Sequence, residues 1–229
     1  ELEVLGIKKF VAKQVWNWIY VKGVKDFKSM SNISKQNVDM LNENFSIFIP
    51  SVINTLKSSD GTTKWLLGMK DKERIELVYI PADDRGTLCI SSQVGCSMGC
   101  RFCNTGSQGL TRNLKISEIV SEVLIARSLL NDWENINKAI GDGRKITNIV
   151  IMGMGEPLVN YDNIVKAIKI VNDKNGIAFS NRRITLSTCG VVPKIYDLAN
   201  ELKVNLAISL HATTDEIRNK IMPISEKYS

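Results

Sequence analysis

The chain has 229 residues, 44% hydrophobic and 24% charged, with a formal net charge of +6. That composition is globular, and no apolar run approaches the roughly 20 residues of a membrane span. The basic balance suits a polyanionic partner, nucleic acid above all, although no arginine-rich tract localises a footprint.

Residues 1–46 read as short helices. Val11, Val15, Trp16, Trp18 and Ile19 crowd one helix, and Phe27, Met30 and Ile33 follow it. The spacing predicts a small helical unit with an aromatic core, although the same rings could stack on RNA bases. Residues 1–50 are therefore taken as a helical accessory domain and a candidate RNA contact. From residue 51 the pattern changes to strands. Asp60-Gly61 is a hairpin signal between strands at 52–56 and 63–67, and a third strand at 74–80 ends at Pro81. Residues 51–82 read as a β-hairpin linker element.

Residues 83–229 alternate. Strands are predicted at 87–91, 147–152, 183–187 and 205–210. Helices fall at 117–130, with Ser117 as N-cap, at 161–173 and at 192–202. A fourth begins near Thr213, where Thr213 and Glu216 fit a capping box. Alternating βα units imply a parallel sheet. The polar stretch 131–145 reads as a surface loop, with Gly141 and Gly143 breaking any helix.

Each predicted strand of this region runs into a polar segment at its C-terminal end, the face where βα folds bind ligands. The first leads to VGCSMGCRFCNTG, in which Cys96, Cys100 and Cys103 are spaced C-x3-C-x2-C. A [4Fe–4S] cubane takes four thiolates, so three leave one iron open. Structural zinc wants paired C-x2-C spacings, and the second pair is missing. The remaining soft ligands, Cys89, Cys189 and His211, lie far apart in the sequence. Iron–sulfur with an open site, zinc, and unliganded thiols all remain readings of this loop. No signal peptide opens the chain, which points to a reducing, cytoplasmic setting and away from structural disulfides.

The second strand leads to Gly153-Met154-Gly155-Glu156-Pro157. It lacks the third glycine of a dinucleotide fingerprint and the Gly-Lys-Ser/Thr of a P-loop. It offers close backbone approach and one carboxylate, Glu156, which is either a receiver for an α-ammonium or a solvated loop acid. The third and fourth strands lead to Ser187-Thr188-Cys189-Gly190 and Ser209-Leu210-His211.

With its cysteine spacing directly after a first barrel strand, the chain resembles the radical S-adenosylmethionine (SAM) enzymes. The stretches DDRGTLCISSQVGCSMGCRFCNTG, ITNIVIMGMGEPLVNYDN, RRITLSTCGVVP and LAISLHATTDEIRNKIMPI resemble, more narrowly, the RlmN/Cfr family of RNA methyltransferases, as do VAKQVWNWIY, SSDGTTKW and IELVYIP near the front. Val94 in SQVGC is similar to the branch that methylates adenine C2; the C8-methylating branch typically has cysteine there.

The resemblance implies an α/β fold: a partial (βα) radical SAM barrel with parallel strands, preceded by the helical domain and the short antiparallel β element. It implies that Cys96, Cys100 and Cys103 hold a [4Fe–4S] cluster, and that Gly155, Glu156, Ser187, Ser209, Leu210 and His211 bind SAM. Glu76 would be the proton acceptor and Cys89 a thiol that helps release the RNA adduct by thiol exchange, with the disulfide this entails. The substrates would be 23S rRNA and tRNA, with an electron donor such as flavodoxin or ferredoxin, no membrane, and a monomer. One SAM would methylate a cysteine and a second would generate the radical that abstracts hydrogen from that methyl group. Adenine C2 is not nucleophilic, so radical addition avoids a barrier that polar transfer would meet.

The family's methyl-carrying cysteine and a SAM-contacting asparagine lie beyond residue 229. The expectation is therefore a fragment without its C-terminal third, inactive alone. Cys189 stands where the family often has serine and is not taken as the methyl carrier. Arg112, Arg182 and Arg183 are taken as candidate RNA phosphate contacts. A zinc-stabilised, non-catalytic RNA-binding protein is the alternative of a different class.

Overall fold

The computed structural model describes residue 2 and residues 4–133 and 143–229. The N-terminal unit is helix α1 (Lys9–Tyr20), a 3₁₀ turn at Phe27–Ser29 and helix α2 (Lys35–Asn44). Its core is Ile7, Val11, Val15, Phe27, Met30, Ile33, Val38 and Leu41. The core is thus mainly aliphatic rather than aromatic. Trp18 sits at the rim, where its indole N–H donates to Asn32 and Lys22 lies over the ring. Ile19 and Tyr20 pack against the core of the rest of the chain.

Strands β1 (Ser51–Lys57), β2 (Thr63–Gly68), β3 (Arg74–Ala82) and β4 (Arg85–Ile90) form an antiparallel meander. The Asp60-Gly61 turn lies between β1 and β2 as expected, with Gly61 at φ +85°. The third strand does not stop at Pro81 but continues to Ala82, because a proline fits where the strand turns into its neighbour. Strands β7 (Asn148–Ile151), β8 (Ile184–Thr188) and β9 (Asn205–Ile208) add to β4 in parallel. The result is one seven-stranded sheet ordered β1-β2-β3-β4-β7-β8-β9. The hairpin element is therefore an antiparallel extension of the parallel sheet, and the boundary expected near residue 82 does not interrupt it.

A separate small hairpin, β5 (Gln93–Gly95) with β6 (Leu110–Asn113), brackets the cysteine loop and a four-residue helix α3 (Asn104–Ser107). Both strands are too short to leave a pattern in the sequence. One face of the sheet is covered by α4 (Ile116–Leu129), α5 (Tyr161–Asn172) and α6 (Val192–Glu201). Helix α5 buries Tyr161, Ile164, Val165, Ile168 and Val171, the i, i+3, i+4 stripe of an amphipathic helix. The strands alternate likewise: Ile75, Leu77, Leu88, Ile90, Ile149, Ile151, Ile184 and Leu186 enter the core.

Two expected caps are not formed. Ser117 lies inside the first turn of α4, and Lys115 is the N-cap, with its backbone N–H donating to Glu118. Helix α7 (Asp215–Ile221) starts after Thr214 with no side-chain cap, so the Thr213–Glu216 box is absent. In the stretch 131–145, residues 134–142, Gly141 among them, lie outside the described residues. Of the remainder, Asp132 is not a surface residue: it is fully buried and accepts from Lys145 N and Ile146 N. Among the described residues, no helix is long and apolar enough to cross a membrane.

Candidate radical SAM site

The site is organised by the three residues that directly follow β4. Ser91, Ser92 and Gln93 are all buried. The Ser91 hydroxyl donates to Glu76 O and accepts from Met154 N, and Ser92 N and Gln93 N both donate to Met154 O. Gln93 Oε1 accepts from Glu156 N at 2.8 Å, and its amide donates to Asn113. Asn160 bonds Ser92 O and Leu114 O from the far side. These bonds clamp the glycine turn after β7 against the strand that carries the cysteine loop. Gly155 sits at φ +99°, and a Cβ there would lie 2.5 Å from the Gln93 Cβ, so only glycine allows this approach.

Four strand ends converge on one cavity of about 270 Å³. Cys96, Cys100 and Cys103 line it from the loop after β5. Gly155 and Glu156 line it from the turn after β7. Ser187 and Cys189 come from β8 and its exit, and Ser209 and His211 from the exit of β9. The Ser187 and Ser209 hydroxyls are 3.5 Å apart. His211 holds a left-handed backbone, φ +56°, and its ring packs against Phe102 at a 43° tilt with centroids 4.3 Å apart. A larger cavity of about 670 Å³, between α1 and helices α4 and α5, is walled mainly by apolar side chains and holds none of these groups.

Glu156 is not a solvated loop acid. It is 3% exposed, and its carboxylate accepts from Leu158 N at 3.0 Å and Cys189 N at 2.8 Å, tying the turn after β7 to the loop after β8. A second buried charge completes the tie. Arg218 on α7 donates to Cys189 O, Ser209 O, Leu210 O and the Ser225 hydroxyl. Leu210 does not line the cavity; its side chain is exposed and only its carbonyl is held.

Glu76 and Cys89 stand together outside the cavity wall, on the sheet face away from α4. Cys89 pairs with Val78 across β3 and β4, and Glu76 lies two residues along β3, level with Ser91. Glu76 is half exposed and paired with Lys64 at 2.9 Å. Burial, with the nearby Glu122 carboxyl, pushes the Cys89 thiol up to about 11, so it is a thiol at neutral pH. All five cysteines are free, so the disulfide of the thiol-exchange scheme is not formed here.

The three arginines taken as candidate RNA contacts stand in two places. Arg112 is occupied: its guanidinium bonds both Glu118 oxygens, at 2.8 and 2.9 Å, and Asp71 at 2.6 Å. Arg182 and Arg183 precede β8, at the end of the strand opposite the cavity. Sequence reasoning missed Ser91, Ser92, Gln93, Asn160 and Arg218. Three polar residues directly after the apolar strand Leu88–Ile90 were a usable signal for the first three. Arg218 left none.

Three thiols lining one cavity suit a cluster with one iron left open. The Cys96 and Cys100 thiols are both pushed up, by burial first and then by neighbouring acidic groups that include one another's loop. They are close enough to interact. A cubane spreads its thiolates over separate irons, whereas zinc gathers its ligands onto one tetrahedral centre.

The Radical SAM superfamily model matches residues 90–228, more than half of the chain. The Ribosomal RNA large subunit methyltransferase N-terminal domain model matches residues 2–47. The chain is 50% identical to a Dual-specificity RNA methyltransferase RlmN from Sinorhizobium fredii, over 96% of this chain and 56% of that protein. It is 52% identical to one of the same name from Rhodospirillum rubrum, over 99% of this chain and 52% of that protein. The chain spans about half the length of the curated relatives it matches. Among solved structures, a radical SAM methyltransferase from Sphaerobacter thermophilus superposes with a TM-score of 0.90 at 37% identity, covering 99% of this chain and 64% of that one. From the cysteine cavity, the sheet that carries it and these matches, the chain belongs to the radical SAM superfamily, whose cofactors are a [4Fe–4S] cluster and SAM.

Proposed function

We propose that this chain carries the cluster and SAM-binding site of a radical SAM RNA methyltransferase, acting on C2 of an adenine in 23S rRNA and tRNA. The cavity carries the reading: three cysteines, which as cluster ligands would leave one iron open, share a space of about 270 Å³ with a carboxylate, two hydroxyls and a histidine. When bound, the cluster supplies the electron that cleaves SAM. Cys96, Cys100 and Cys103 would hold it. Gly155 gives the backbone approach that an amino-acid ligand needs. Glu156 accepts two N–H bonds, and a carboxylate has lone pairs for more, so it can also receive an ammonium. Ser187, Ser209 and the backbone of Leu210 and His211 would orient the rest of SAM.

Glu76 is the proton acceptor in this reading, oriented by Lys64. Cys89 is the exchanging thiol, held protonated until a base reaches it. RNA as the substrate class follows the relatives' printed name, whereas 23S rRNA and tRNA, and the C2 position through Val94, follow the sequence resemblance. The electron donor would be a flavodoxin or ferredoxin, and the protein a cytoplasmic monomer. The test is nucleoside analysis by mass spectrometry of 23S rRNA and tRNA from cells with and without the gene. Loss of 2-methyladenosine from both on deletion is expected. Unchanged 2-methyladenosine would contradict the proposal, and loss of 8-methyladenosine instead would move it to C8.

A further inference from the structure

Cys189 is the fourth cysteine of the site cavity, and the reading above gives it no role. It packs with Cys100 and Met222 in a small buried cluster that Met98 and Cys103 also touch. Its peptide is held from both sides by buried charges. Glu156, 3% exposed, takes its N–H, and Arg218, 7% exposed, binds its C=O. Gly190 follows at φ +113°, turning the chain sharply away. The neighbouring Thr188 hydroxyl accepts from Gly190 N and Val191 N and fixes that turn. Few loop residues have both backbone groups bound by ionised side chains, and here the residue so fixed is a thiol facing three others.

We infer that Cys189 is a fourth ligand for the cluster: with SAM absent it binds the iron that Cys96, Cys100 and Cys103 leave open, and SAM displaces it. This rests on the cluster reading above. The fully thiolate-ligated cubane is the ordinary form of the cofactor, and a fourth cysteine in the cavity supplies it. On ligation an Fe–Sγ bond forms and the S–H bond breaks. The proton passes to the Glu156 carboxylate, which already accepts the backbone N–H of the same residue at 2.8 Å. No electron moves, and SAM binding reverses the exchange. The ligand would protect the open iron between turnovers and would tax SAM binding by the fraction of protein in the closed form.

The test uses the 229-residue chain, reconstituted anaerobically, as wild type, Cys189→Ala and Cys189→Ser. EPR of the reduced cluster should differ between wild type and Cys189→Ala without SAM, and coincide once SAM is saturating. Mild oxidation without SAM should strip one iron from the Cys189→Ala cluster, giving a [3Fe–4S] signal, while the wild type keeps its fourth iron. SAM should bind the alanine variant about fivefold or more tightly, the competing ligand being gone. Cys189→Ser preserves the packing if alanine disturbs assembly, and a changed SAM-free spectrum is expected there too. Identical SAM-free spectra and equal iron loss in all three proteins would overturn the inference and leave the cluster reading intact. Failure of the wild type to bind any cluster would overturn both.

Discussion

Glu156 gives the sharpest test of how the site is held. Its carboxylate accepts from Leu158 N and Cys189 N, at 3.0 and 2.8 Å, in a position 3% exposed. A hydrogen bond to a charged acceptor is worth about 1.5–3 kcal/mol, and a buried donor left alone costs about 1–3 kcal/mol. Glu156→Gln keeps one oxygen and points an NH₂ at the other backbone N–H. One bond is lost and one donor stranded, for a cost of about 2–4 kcal/mol. At about 2–4 °C per kcal/mol for a chain of this size, the cluster-free protein should melt about 5–15 °C lower. Hydrogen exchange separates the local from the global effect: the amide left unbonded, at Cys189 or Leu158, should lose protection beyond the general loss. Circular dichroism melting with residue-resolved exchange checks both. A melting temperature within about 1 °C of wild type, with the Cys189 amide still protected, would refute the strap and return Glu156 to the role of a loop acid.

Three further outcomes follow from the same geometry. Gly155→Ala combines a left-handed backbone with a Cβ 2.5 Å from Gln93 Cβ, and should cost about 2–4 kcal/mol in urea unfolding. With its thiol pushed up to about 11, Cys89 should be about one part in a thousand thiolate at pH 8. Its alkylation by iodoacetamide, followed by mass spectrometry, should therefore rise about tenfold per pH unit up to that value. Glu122 is fully buried, accepts from Ser91 N alone among the described residues, and is raised well above the ordinary carboxylate range by burial and then by Glu118. Above about pH 4.3, where an unfolded glutamate ionises, the native state binds more protons than the unfolded state, so stability falls as pH rises towards the folded value. Urea midpoints of Glu122→Gln should fall less than those of wild type between pH 5 and pH 8, and parallel curves would contradict this.

Much of the architecture was legible because its periods are simple. Leu88 and Ile90 alternate into the core, the stripe of α5 repeats at helical spacing, and Asp60-Gly61 marks its turn. The cysteine spacing and GMGEP fell at strand ends, which alone predicted a common site. What stayed hidden depends on contacts distant in sequence. Arg218 reaches Cys189 across 29 residues, and Gln93 reaches Glu156 across 63. Arg112, taken from the sequence as a candidate phosphate contact, pairs with Asp71 across 41 residues as well as with the nearby Glu118. The caps of α4 and α7 were misplaced because a plausible local motif does not form where the preceding chain is already bound elsewhere. Ser92, for example, takes Leu114 N with its carbonyl, which sets where the chain enters α4.

The central claim is that the cavity holds a cluster with an iron open to SAM. Anaerobic reconstitution with iron and sulfide, followed by EPR of the reduced protein before and after adding SAM, tests it directly. The account predicts about four irons and four sulfides per chain and a signal that changes on addition of SAM. A colourless protein with stoichiometric zinc, or a cluster whose signal ignores SAM, would contradict it.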